Sequence, residues 1–159
     1  PADFVWKNVP YDSSNPFDTL YYGATKWENE GMRGDGLHGI EPDKVAEMGV
    51  AYLKFYQITS NKKYLTAGLH CAKALIDNVQ NIQHSTNPFE FSNTEKSIWP
   101  FRVNGRTGAV IDPYCSNVVE PIRLFDEVLM LSNYETIDTA LVSKAVQTRK
   151  RALDWLFSK

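Results

Sequence analysis

Residues Ala51–Leu75, AYLKFYQITSNKKYLTAGLHCAKAL, decide the fold. Upstream of Ser60, the residues Val45, Met48, Gly49, Tyr52, Phe55, Tyr56 and Thr59 recur at the spacing of one helix face, and Ala46, Val50 and Leu53 widen that stripe. A helix this apolar must be covered on more than one side. Downstream, Leu65, Gly68, Leu69, Ala72, Ile76 and Val79 give a second helix of similar length. Ser60 and Asn61 supply a stop and a cap between them. So short a join favours an antiparallel αα-hairpin.

Outward from this hairpin the pattern repeats. Pro42 suits a first helical turn, because its missing N–H would have no acceptor there. Val118, Val119, Ile122, Phe125, Val128 and Leu129 form a third helical face, and Ser132 and Asn133 punctuate it. Ile137, Leu141, Ala145, Thr148, Ala152, Trp155 and Leu156 form a fourth. The predicted helices are 42–59, 61–80, 116–131 and 134–157, so the expected fold is all-α, two hairpins within 41–159. They are joined by a long helix-poor loop, 81–114, which carries Phe89, Phe91, Trp99, Pro100, Phe101, Arg102 and Tyr114. It is too aromatic for a disordered linker and reads as an ordered loop able to build a glycan or peptide groove. Residues 1–40 form an irregular segment with Pro10, Pro16, interspersed aromatic rings and five glycines between Gly23 and Gly39.

The bulk numbers narrow the function classes. With 159 residues the chain suffices for one domain with a real core. A net charge of −2 creates no field that would gather a polyanion, which argues against nucleic acid and anionic membranes. No apolar run approaches the roughly 20 residues of a membrane-spanning helix. Cys71 sits in a helical pattern where burial is the common outcome, and with Cys115 makes too few cysteines for a disulfide scaffold. His38, His70 and His84 lack close ligand spacing, so no metal or other cofactor is implied.

With these residues in place, Ala51–Leu75 resembles the hairpin repeats of the (α/α) toroid, or six-hairpin, carbohydrate-active enzymes, Tyr64, Leu65, Ala67, Ala72 and Ala74 matching their helix texture. Ser97–Val110, SIWPFRVNGRTGAV, looks like the Trp-Pro-aromatic loops of some polysaccharide lyases. The resemblance covers about 42–157 in architecture and implies an incomplete hairpin array, with long loops gathered at one rim around a sugar-binding cleft. It implies an exported, bacterial-style glycoside hydrolase or polysaccharide lyase, or a fragment of one. The expected partners are carbohydrate and the remainder of a larger polypeptide. A complete four-helix domain is the alternative for the architecture. A non-catalytic hairpin module that binds a glycan or protein through the aromatic loop is the alternative for function.

Two clusters could carry the chemistry. Trp27–Gly39 holds glycines at 31, 34, 36 and 39 among reactive side chains, of which Asp35 and His38 are expected to be catalytic and Trp27 to bind substrate. The plainer possibility is a turn system with its charges in solvent. The second cluster joins Trp99, Arg102, Arg106 and Arg123 as substrate-binding residues to Asp112, Tyr114 and Glu120 as catalytic ones. A hydrolase needs two carboxylates about 5–9 Å apart across one bond. A lyase needs Arg against a uronic carboxylate and Tyr114 or His38 to abstract the adjacent proton. The competing reading of the second cluster is a local Glu120–Arg123 pair beside a Trp that plugs the core. Trp99 and Phe101 are expected to divide the work, one in a groove and one in the core, because Pro100 suits a turn between them. Both clusters precede a hairpin and are expected to meet on one rim.

Overall fold

The computed structural model describes residues 39–77, 79, 98–99, 102–104, 110–112 and 118–157. Four helices form two contacting pairs: α1 (Pro42–Thr59) with α2 (Lys62–Asp77), and α3 (Val119–Leu131) with α4 (Thr139–Phe157). Pro42 opens α1 as its composition suggests. At the other end Ser60 takes a left-handed conformation, φ 54°, and its N–H closes on the Tyr56 carbonyl. Asn61 then caps α2, its Oδ1 accepting the Lys63 N–H at 3.1 Å. One residue stops a helix and the next starts another, so the chain reverses.

The second turn is longer than the sequence suggests. The α4 pattern predicts a start at 134, yet the helix begins at Thr139. Asp138 is the reason: its Oδ1 accepts the Ala140 N–H at 2.8 Å and its carbonyl the Val142 N–H at 3.0 Å, the geometry of a helix cap. Tyr134 and Glu135 instead fold back onto the Leu131 carbonyl and close the end of α3. At the C-terminal end of α2, Val79 lies beyond the helix. Residues 116–117, where the third helix was expected to start, lie outside the described residues.

Helix α1 is covered on two sides, by α2 and by α3, as its wide apolar surface requires. Val45, Ala46, Leu53, Cys71, Leu75, Leu124 and Phe125 fill the space between them with almost no exposure. Contacts from α1 to α3 and the turn after it advance together, Gly49 facing Leu124, Lys54 pairing with Glu127 and Tyr56 bonding Glu135, so the two helices run parallel. Both short turns therefore sit at one end of the array and the long connections at the other. Among the described residues no helix is long and apolar enough to cross a membrane.

At the long-connection end three short strands make an antiparallel sheet in the order β1 (Gly39–Ile40), β2 (Arg102–Asn104), β3 (Val110–Asp112). Strands of two or three residues are too short to show a period, so hydrophobic patterning does not reveal them. Ile40 lies two positions before Pro42, which fixes the sheet at the N-terminal end of α1.

Candidate functional site

The sheet pairs Gly39, the last residue of the first cluster, with Asn104 in the second segment. Ile40 pairs with Val103, so the glycine-rich segment ends against the loop that follows Trp99. On the other side of β2, Arg102 faces Asp112 and Val103 faces Val110, with a bulge between the two pairs. In a regular strand Val110 and Asp112 would share a face. The extra residue breaks that alternation.

Trp99 corrects an expectation. Its side chain is 1 % exposed, its indole N–H donates to the Leu75 carbonyl at 3.0 Å, and its ring lies 6.3 Å from Phe125. A ring enclosed this way cannot stack on a sugar, so Trp99 takes the core half of the expected division of labour. Leu75 belongs to the last turn of α2, where carbonyls lack a helical partner. The indole satisfies one of them and ties the loop to the helices three residues before β2.

Glu120 and Arg123 form the local pair, at 3.4 Å and with Arg123 exposed, on the first turns of α3. Trp27, Asp35, His38, Arg106 and Tyr114, and Phe101 with them, lie outside the described residues.

Two further carboxylates stand at this rim, singled out by neither composition nor spacing. Glu41 connects β1 to α1 and is buried, 6 % exposed. Asp43 stands in the first turn of α1, and burial pushes its carboxyl above the ordinary acid range, with the Glu41 charge adding to the rise against the pull of Lys44. Lys44 is itself held above the usual lysine range, chiefly by its hydrogen bond to Glu47.

At the turn end a different polar group occupies the seam between hairpins. Tyr56 donates to Glu135 Oε1, while Lys62 Nζ donates to Glu135 Oε2 at 2.6 Å and to the Tyr56 hydroxyl at 2.8 Å. Above it lies an open depression of about 490 Å³, bordered by Lys54, Gln57, Ser60, Met130 and Tyr134. α1 is 18 residues long, so this depression and the sheet stand about 27 Å apart along the helices.

The Lys62 bond, then the Tyr56 bond, holds the Glu135 carboxyl below its ordinary 4.5, and the Glu135 bond holds Lys62 above 10.5. A depressed acid stabilises the fold above its unfolded value and loses that contribution as pH falls through the lower folded value; a raised amine loses its contribution as pH rises through the higher one. The pair is therefore intact between 4.5 and 10.5. Melting temperatures of the wild type and Glu135→Gln should differ by a constant amount across that window and converge below it. A gap that stays unchanged well into acid would count against the linkage.

Comparison with protein-family models, with curated proteins and with solved structures finds no match. Among the described residues no cluster of His, Cys, Asp and Glu could hold a metal ion.

Proposed function

We propose that the chain is a glycan-processing domain of the (α/α) toroid type, working at the rim that carries the sheet. The observation that supports this reading best is the strand register. It pairs Arg102 with Asp112 and Gly39 with Asn104, so residue types able to donate and to accept hydrogen bonds stand at neighbouring positions of one small sheet. Sugars demand that mixture of donors and acceptors. Asp43 suits the general acid, because a carboxyl pushed upward by burial keeps its proton nearer to neutral pH. Asp112 and Asp35 are the candidates for the second carboxylate. Arg102 would bind a hydroxyl or a uronic carboxylate. The contact of Glu120 with Arg123 is the observation that favours, as the second reading, a module that captures glycan without turning it over.

The test is turnover of a panel of neutral and uronate-containing polysaccharides. New reducing ends alone identify a hydrolase, and reducing ends accompanied by an ultraviolet-absorbing unsaturated uronate identify a lyase. Asp43→Asn should lower the rate about a hundredfold, the low end for a lost general acid or base. It should not lower the melting temperature, because the ionised form is the one burial disfavours. Retention of a polysaccharide with no turnover would establish the capture module, and full activity in Asp35→Asn/Asp43→Asn/Asp112→Asn would reject the catalytic assignment.

A further inference from the structure

At the opposite end of the helices, the geometry points to a second carbohydrate contact, in which the turn-end depression between the hairpins binds one or two rings of a neutral glycan through Tyr134. Its charges are already matched. Lys54 Nζ sits 2.7 Å from Glu127 and Lys62 Nζ 2.6 Å from Glu135, two lysines against two glutamates. No net charge is left to select an ionic ligand, and an ion entering there would have to break a pair. The surface that remains is of two kinds. Tyr134, 61 % exposed, and Met130 offer apolar area, while Gln57, Ser60 and the outer atoms of the ion pairs offer donors and acceptors.

A ligand matching both must have an apolar flat face and hydroxyls around its edge. Pyranose rings have that form, and tyrosine supplies a broad contact area with little conformational entropy to lose. The volume of about 490 Å³ lies within the range of small-molecule sites, yet the depression is open, which suits a segment of an extended chain. The floor is rigid. Tyr56, 5 % exposed, is held by both Glu135 and Lys62, and the Tyr134 backbone is fixed by its N–H on the Leu131 carbonyl. A site with its polar groups already oriented loses less on binding. This assignment stands whether or not the sheet rim is catalytic.

The full chain, labelled at its methionine methyl groups, tests it by titration with cellohexaose, xylohexaose and mannohexaose. The Met130 methyl resonance reports on the depression alone. A saturable shift of that resonance with at least one hexaose is expected. Tyr134→Ala should weaken the binding at least about tenfold, a loss typical of an interfacial aromatic anchor, with no change in melting temperature because the ring is exposed. Tyr134→Phe should bind within about twofold of wild type, since stacking on a ring does not need the hydroxyl. A Met130 methyl that no hexaose moves, equal affinity in Tyr134→Ala, or a shift caused only by an unstructured peptide would each overturn the proposal. None of these readouts depends on turnover, so a failed glycosidase or lyase assay leaves this result independent.

Discussion

Trp99→Ala should lower stability by about 3–5 kcal/mol, the range for deleting a buried large aromatic side chain. The ring is 1 % exposed and packs on Phe125, so its removal opens a cavity that Leu75 and Phe125, both fully buried, cannot collapse to fill. Domains are stable by about 5–15 kcal/mol in total. The loss is thus a large share of the whole and should appear as a melting temperature lower by about 6–20 °C. Trp99→Phe separates packing from hydrogen bonding: it keeps a ring but loses the indole N–H that serves the Leu75 carbonyl. It should fall between wild type and Trp99→Ala. The damage should also be local in a particular way. Trp99 anchors the chain three residues before β2, so amide exchange at Arg102–Asn104 should speed up before exchange in the middle of α3 does. A melting temperature within about 2 °C of wild type, which is less than 1 kcal/mol for a chain of this size, would show that the ring is not a core element.

The helical framework was legible because its signals are local and repeated. The apolar series from Val45 to Thr59, the Ser60–Asn61 stop and cap, and Pro42 all speak within a few residues of where they act, and the first helix falls where they place it. The fourth helix shows the limit. Apolar periodicity runs on through Ile137, but Asp138 captures the Ala140 N–H and sets the start by itself, a competition between pattern and cap that a stripe of hydrophobic residues does not express. The sheet was out of reach for another reason. Its first pair joins residues more than 60 positions apart, Ile40 and Val103, and strands of two or three residues carry no periodicity of their own.

For the candidate rim, the topology accounts for the pairing of β1 with β2 and for no more of the two segments. What each side chain does there was less legible. Trp99 could be read as a platform or a plug, and only burial separates the two. Asp43 is distinguished by desolvation and by the neighbouring Glu41 charge, neither of which composition or spacing encodes. The turn-end depression is made by residues about 75 positions apart, Tyr56 and Glu135 among them, and belongs to packing alone.

Gly68→Val should cost about 3 kcal/mol, the upper part of the range for overpacking a core. A Cβ at Gly68 would stand 2.5 Å from Leu53 Cδ2 and 2.6 Å from its Cγ, with the Gly49 carbonyl at 3.1 Å. Leu53 is fully buried and cannot swing aside, and Gly49 is hemmed in as well, its own Cβ position lying 2.7 Å from Leu124 and 2.8 Å from the Cys71 Cβ. The two glycines thus set the distance between α1 and α2 and, through Leu124, help to set that between α1 and α3. In an uncrowded helix the same substitution would stabilise slightly, because glycine is the poorer helix former. The sign of the change therefore tells crowding from propensity. Compensation gives a second check. Leu53→Ala alone should cost about 2–5 kcal/mol by leaving a cavity, but Val at Gly68 projects into that space, so the double variant Leu53→Ala/Gly68→Val should be more stable than the sum of the singles by at least about 1 kcal/mol. Chemical denaturation of the four proteins measures that coupling. A Gly68→Val protein as stable as wild type, or two losses that simply add, would mean that the helices do not approach one another as closely as the packing of Gly49, Gly68 and Leu53 requires.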